Sequence, residues 1–444
     1  MAQRVVVIGG DAGGMAAVSP IRGRQPAAEI VALERGGWTS YSACGIPYLV
    51  GGVISGGLPR LVARSAEQHR DAGADVRLGH EAMAIDVERR TVDVASPAGD
   101  HYQLPFDDLM IGTGGTPVRP PLPGIELPFI HGVQNLADAG RLLQLVGEGG
   151  CQRVVVVGSG YIGLEMAEAF LERGCTSTVI DQRPQPMGTL DTDMGALVAK
   201  AMTDRGIDLR LEVAVTGFDD GVVHTSEGPV PADAVILGLG VGPNAELAAA
   251  AGLELGAKGS IRVDARQETS APRVWAAGDC CESMHRITGQ PVHIPLGTYA
   301  NKQARVAGIN IGGGHAETAP VLGTAITKLC SAEIARTGLT EAEAEAAGLD
   351  QVGQVIVSTN KAGYLSDAVE MRVKLVAERG TGRLLGAQIV GGPGSAKRID
   401  TCAVALTAGM DVQQVLDLDL AYAPPFSGVW DPVAVAAREM LKRL

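Results

Sequence analysis

Val154-Val155-Val156-Val157-Gly158-Ser159-Gly160-Tyr161-Ile162-Gly163, answered downstream by Asp181, is the stretch on which the fold turns. Four consecutive valines suit a strand buried on both faces. The glycines then follow as G-x-G-x-x-G. Gly158 permits the sharp turn, Gly160 removes a side chain that would collide with a pyrophosphate, and Gly163 lets helix approach sheet. Free N–H groups at the start of that helix, which opens with Tyr161, neutralise phosphate charge. Asp181 closes the unit at roughly the 20-residue interval that a βαβ dinucleotide site needs. Its carboxylate suits a ribose 2′-hydroxyl and repels a 2′-phosphate, which favours NADH. Arg183, two residues on, leaves NADPH open.

The same pattern runs earlier in the chain, from Val5 to Glu34. Its turn reads Gly9-Gly10-Asp11-Ala12-Gly13-Gly14, with Asp11 where the second glycine is expected. A carboxylate beside pyrophosphate is unfavourable unless it turns away or holds a water. Two such units predict two nucleotides, one permanently bound and one exchanging. Other segments fit that frame. Phe106 to Gly114 reads as a strand entering a turn at Thr113-Gly114, and Thr269 to Asp279 as a buried strand that presents one carboxylate to a polyhydroxy chain. Pro295-Leu296-Gly297-Thr298 opens a helix whose first amides can face flavin pyrimidine oxygens.

Composition narrows the class. A chain of 444 residues exceeds one core, and its 60 glycines suit an α/β protein with many tight turns. A net charge of −13 argues against nucleic acid and anionic membranes as partners. No apolar run is long enough to span a bilayer, and the start reads as a buried strand and not as a leader. Seven cysteines without framework spacing fit a reducing, cytoplasmic setting. Proline-rich Thr116 to Gly124 marks one domain crossing and Gly242-Pro243-Asn244 a second. From about Val321 the pattern becomes alternating strands and then helices, a third α+β domain. Glu341 to Ala347 reads as a short exposed helix.

Cys44 lies in Ser40-Tyr41-Ser42-Ala43-Cys44-Gly45-Ile46-Pro47-Tyr48, about ten residues after Glu34. A C-x4-C dithiol would need a second cysteine at position 49, which is Leu49. One reactive sulfur is therefore expected, with its pKa lowered by a helix N-terminus. Pro47 fits that helix's first turn, and Ile46, Leu49 and Val50 suit a helix lying under a flavin. Cys280-Cys281 reads as a pair of small buried residues at a strand end, a strained vicinal disulfide being the redox alternative. No histidine or cysteine stands at ligand spacing from them, so no metal is expected.

Taken with Ala300-Asn301-Lys302-Gln303, Arg383 to Ala387, Lys397 to Asp400 and Tyr422 to Ser427, these segments make the chain resemble the pyridine nucleotide-disulfide oxidoreductase superfamily over essentially its whole length. The match is to its single-cysteine branch of coenzyme A-disulfide reductases, persulfide reductases and NADH oxidases. The resemblance implies an α/β fold of two Rossmann-like domains, for FAD (1–118 and 245–319) and NAD(P)H (119–244), plus a C-terminal α+β dimerisation domain (320–444). Contacts to FAD are then implied for Arg35, Ser40 and Ala82 besides the first turn, Glu34, Thr113, Gly114, Asp279 and the 295–298 segment. Tyr161, Ile162, Glu165 and Gly240 are implied for the nicotinamide nucleotide. Tyr364 and Tyr422 are implied to approach the cysteine of a partner subunit in a homodimer.

The implied activity is FAD-dependent reduction, by NAD(P)H, of a low-molecular-weight disulfide or persulfide through Cys44. Ala12 occupies the slot where peroxidases and many oxidases of the family carry histidine, which favours a thiol-type acceptor. Asn usually precedes the cysteine in coenzyme A-disulfide reductases, with polar residues around the first helix. Here Ala43, Pro20 and Gly23 stand instead, and Arg22 is retained. An NADH oxidase using oxygen and an electron-relay flavoprotein serving a protein partner are the competing readings.

Overall fold

The computed structural model describes residues 2–147 and 150–444. Three sheets organise it. In the first, five parallel strands run in the order Val274–Ala276, Asp108–Ile111, Arg4–Ile8, Glu29–Glu34, Ala74–Leu78. The second repeats the arrangement with Asp208–Leu211, Thr176–Asp181, Arg153–Val157, Ala234–Leu237 and Ile130–His131. The third is antiparallel, in the order Ala325–Leu329, Ala332–Gly338, Leu384–Gly391, Glu370–Glu378, Gln351–Thr359.

Glycine chemistry explains why the first two sheets repeat each other. Gly9 and Gly158 end their strands at φ +108° and +100°, a left-handed region costly for other residues. A Cβ on Gly9 would lie 2.0 Å from the Gly112 carbonyl oxygen, and one on Gly158 2.5 Å from that of Gly238. Each turn feeds a helix, Ala12–Arg24 in one unit and Tyr161–Glu172 in the other. Helix Ala12–Arg24 packs on Gly297–Ile311 so closely that a Cβ on Gly308 would meet the Ala17 carbonyl oxygen at 2.4 Å.

The two expected crossings lie side by side. Gly115–Pro117 pairs antiparallel with Val241–Pro243, so the chain leaves and re-enters the first unit through one two-stranded ribbon. The antiparallel sheet buries Val373, Leu375 and Ile389 under helices Ile399–Ala408, Val412–Leu416 and Pro432–Met440.

The helix expected to be merely exposed, Glu341–Ala346, is tied down. Thr340 and Glu343 form a capping box, and Ala344 is buried. Glu341 pairs with Lys374, whose side chain is 3% exposed and also meets Asp193 at 2.9 Å and Asp191 at 3.1 Å. This cluster joins the second sheet's unit to the antiparallel sheet. Burial alone would depress the Lys374 ammonium, yet its three acids raise its pKa overall. Lys374→Met would leave three acids without their cation. Urea unfolding should show a loss of about 1–3 kcal/mol with unchanged m, and no measurable loss would contradict the cluster's role.

Candidate active site

The first glycine turn and the cysteine segment form one unit. Asp11 occupies the N-cap of helix Ala12–Arg24 without capping it. Its carboxylate turns away instead, and Oδ1 accepts the Tyr41 N–H at 3.0 Å. Beside it the Gly10 carbonyl accepts the Ser40 N–H at 2.9 Å. This answers the anomaly in the turn, since the acid does not cap the helix and grips the neighbouring loop. Burial, with Glu34 and Asp279 adding, pushes Asp11 up to about 6 despite the Tyr41 N–H. On the far side, Ser42 N–H donates to Leu61 O and Ala63 N–H to Ser40 O, both at 2.8 Å. Ser40 is held at φ +45°, its hydroxyl 2.9 Å from His69 Nε2.

Cys44 sits in a 3₁₀ turn, Ala43–Gly45, that runs into helix Ile46–Val50 with Pro47 in its first turn. The residue presents surface to solvent. Ile46, Leu49 and Val50 are buried in a core against helices Leu136–Gly147 and Tyr161–Glu172. One expectation needs correction here: the thiol is not activated by the protein alone. Burial pushes the Cys44 thiol up, and the carboxylates of Glu165, Asp279 and Asp11 push the same way. A five-residue helix is too short to offset four such terms. Glu165 is itself raised by burial, although Thr327 donates to it at 2.8 Å. Next to it Lys328 pairs with Glu168 and lies 5.8 Å from the Tyr48 ring centroid.

The residues around this turn fit a flavin dinucleotide. Four helices are capped by the side chains of Ser65, Thr340, Asp411 and Asp431, while others, such as Thr192–Asp204 behind Asp191, have no side-chain cap. The helices that start at Ala12, Tyr161 and Gly297 have no side-chain cap, so their first amides are available to phosphate or carbonyl oxygens. Gly13 and Gly14 complete the turn. Glu34 accepts from Gly10 N at 2.7 Å and Gly36 N at 2.6 Å, which fixes its carboxylate at the strand end. Asp279, raised by burial, faces the same space. Pro295 and Leu296 lead into exposed Gly297 and Thr298. Other sequence-expected contacts differ in kind. Arg35 is exposed, 3.9 Å from Glu81, and Ala82 packs into the core of the first unit. Thr113 donates its hydroxyl to Asn244 O at 2.6 Å, while Gly114, at φ +67°, borders open space.

At the second turn a Cβ on Gly160 would find nothing nearer than 4.0 Å, the room a nucleotide needs. Tyr161, Ile162 and Gly163 form the helix start, and Gly240 accepts the Val118 N–H at 3.0 Å. Asp181 is buried and held by Ser159 and Arg183. The sequence reading overlooked Ser159, although a hydroxyl between the first two glycines is one turn away from the acid. Tyr364 and Tyr422 lie on exposed surface of the antiparallel unit with Phe426, linked where Ala362 N–H donates to Pro424 O at 3.0 Å. Cys280 and Cys281 are buried and unbridged, each thiol 3.4 Å from a backbone carbonyl three residues back.

The family model described as pyridine nucleotide-disulphide oxidoreductase matches residues 3–307, and that of its dimerisation domain matches residues 324–434. The chain is 37% identical over 442 residues to an NAD(P)H sulfur oxidoreductase (CoA-dependent) of Pyrococcus furiosus, covering 98% of each protein. It is 33% identical over 449 residues to an NADH oxidase of Methanocaldococcus jannaschii, covering 99% of each. Among solved structures, an NAD-dependent persulfide reductase from A. fulgidus superposes with a TM-score of 0.96 at 36% identity, over 99% of this chain and 83% of the other.

Two predictions follow from the acids. Asp11→Asn keeps an oxygen for the Tyr41 N–H and removes the cost of ionising an enclosed carboxylate. Folding raises this pKa to about 6, so the penalty is absent in strong acid and full above the folded pKa. By urea unfolding of the apoprotein, the variant should gain about 2 kcal/mol at pH 8 and clearly less at pH 4.5. An equal gain at both would contradict the assignment. Iodoacetamide labelling of Cys44 in the apoprotein should need pH above the usual thiol range, and Glu165→Gln should shift that profile downward. An unmoved profile would remove Glu165 as a neighbour that matters.

Proposed function

Because the chain belongs to the pyridine nucleotide-disulphide oxidoreductase family, we propose that it reduces a low-molecular-weight disulfide or persulfide through Cys44, with FAD and NAD(P)H as cofactors. The observation that carries this is the double staple of the Cys44 segment to the first glycine turn, through Asp11 and Gly10. Residues 1–118 and 245–319 then hold FAD, 119–244 hold NAD(P)H, and 320–444 form the homodimer contact. FAD supplies the two-electron relay between nicotinamide and sulfur.

The protein's own part is to hold and protect the sulfur. Cys44 attacks one sulfur of the acceptor R–S–S–R′, the S–S bond breaks, and RS⁻ leaves and takes a proton as RSH. Two electrons from NAD(P)H then cleave the Cys44 mixed disulfide. R′SH leaves with a second proton and the Cys44 thiolate is restored. The balance is one NAD(P)H and one proton consumed for two thiols formed. The acids around the thiol hold the sulfur in its protonated form when no cofactor screens them, which limits its oxidation. Tyr422 and Tyr364 are exposed on the dimerisation unit, where a hydroxyl can reach the cysteine of a second subunit and supply a proton.

Arg22 bears on the acceptor. Its guanidinium donates to the carbonyls of Pro26, Ala28 and Gly73 at 2.7, 2.8 and 2.5 Å, so it is spent on the fold and not free for phosphates. A coenzyme A disulfide-like acceptor would therefore have its phosphorylated tail held by groups other than Arg22. Oxygen as terminal acceptor is the second reading, favoured by the likeness to an NADH oxidase.

Cys44→Ser should retain FAD and its reduction by NADH, and lose turnover of disulfides and polysulfide to background under nitrogen. Undiminished disulfide turnover would end the proposal. NADH consumption that needs air and ignores added disulfide would establish the oxidase reading in its place.

A further inference from the structure

We infer that Arg183 is a two-position clasp on the acid of the second glycine unit, and that it allows this site to take NADPH as well as NADH. The inference rests on the assignment of residues 119–244 to NAD(P)H. An acid at this strand end ordinarily selects NADH by accepting the ribose hydroxyl. Here its acceptor capacity is already filled. Asp181 Oδ2 accepts Ser159 N–H at 2.8 Å, Ser159 Oγ at 2.6 Å and Arg183 Nη2 at 2.7 Å. Oδ1 accepts Arg183 N–H and Nε, both at 3.0 Å. A carboxylate offers about four lone-pair positions, so a ribose hydroxyl gains a place only if the guanidinium leaves.

The structure supports both positions. The Asp181 side chain is 4% exposed, whereas that of Arg183 is 45% exposed. The acid is thus enclosed, while the base lies at the surface, where solvent can take over its bonds. Ser159 anchors Asp181 with two bonds that do not involve Arg183, so the carboxylate keeps its place and charge when the guanidinium moves. Burial works against that charge, yet the Arg183 and Ser159 donors hold the acid down at about 2. Gly188 supplies the clearance, since a Cβ there would stand 2.5 Å from Arg183 Nη1. With the clasp closed, the acid that would repel a 2′-phosphate is neutralised, and the outer face of the guanidinium is available to pair with that phosphate. With it open, Asp181 accepts the ribose 2′-hydroxyl of NADH.

Calorimetric binding of 2′,5′-ADP and 5′-AMP to the FAD-loaded enzyme tests this without turnover. The wild-type protein should bind both probes. Arg183→Ala should weaken 2′,5′-ADP about 10- to 100-fold and leave 5′-AMP unchanged or a few-fold tighter. Arg183→Lys, which keeps the charge, should retain most 2′,5′-ADP binding. Equal loss of both probes in Arg183→Ala, or no loss of 2′,5′-ADP, would overturn the clasp. Binding of 5′-AMP but not 2′,5′-ADP by the wild-type protein would likewise overturn the clasp, whereas binding of neither would remove the nucleotide assignment on which it rests.

Discussion

Backbone donors left unpaired at three helix starts are the constraint on which the rest depends. A helix leaves its first N–H groups without intrahelical partners, and this chain satisfies them with side chains at Ser65, Thr340, Asp411 and Asp431. At Ala12, Tyr161 and Gly297, as at Ile46, Thr192, Glu246 and Ile399, it does not. The most telling case is Asp11, a residue well suited to capping, which sits at the cap position and bonds elsewhere. At Ala12, Tyr161 and Gly297 the cost is offset when anionic ligands complete the helices. The parallel sheets aim the first two of those helix starts, and the tight Gly9 and Gly158 turns carry strand into helix with the approach left clear.

The same site concentrates negative charge. Glu165, Asp279 and Asp11 act on one thiol, and burial raises Asp11, Asp279, Glu165 and Cys44 alike. A sulfur in that setting holds its proton more tightly than a free thiol does. The hydrogen bonds from the glycine turn to residues 40 and 41 tie it to that turn, because a shift in the turn moves the cysteine loop with it.

Much of this was legible in the sequence, and the illegible part has a common cause. Glycine spacing after valine runs, and the acids Glu34 and Asp181 at the following strand ends, report local backbone geometry that only certain residues permit. They located both dinucleotide units and the strand ending at Asp279. What sequence pattern did not disclose is which partner a side chain finds across the fold. Ile46, Leu49 and Val50 were legible as a buried face but not as the seam against helix Tyr161–Glu172. Arg22 was legible as a cation but not as one consumed by three carbonyls. The run from Glu341 looked like solvated charge, although Glu341 belongs to a buried cluster with Lys374. The upward pKa shift of Cys44 was not legible, because it follows from burial first and then from Glu165, Asp279 and Asp11, which only the fold brings near it.

Mapping where an acceptor sulfur becomes attached tests the central claim most directly. The FAD-loaded enzyme would be mixed with a limiting disulfide or polysulfide under nitrogen, digested without reductant and read by peptide mass spectrometry before and after NADH. The account predicts an adduct on Cys44 alone that disappears when NADH is added. An adduct confined to another cysteine, or one on Cys44 that NADH leaves in place, would contradict it.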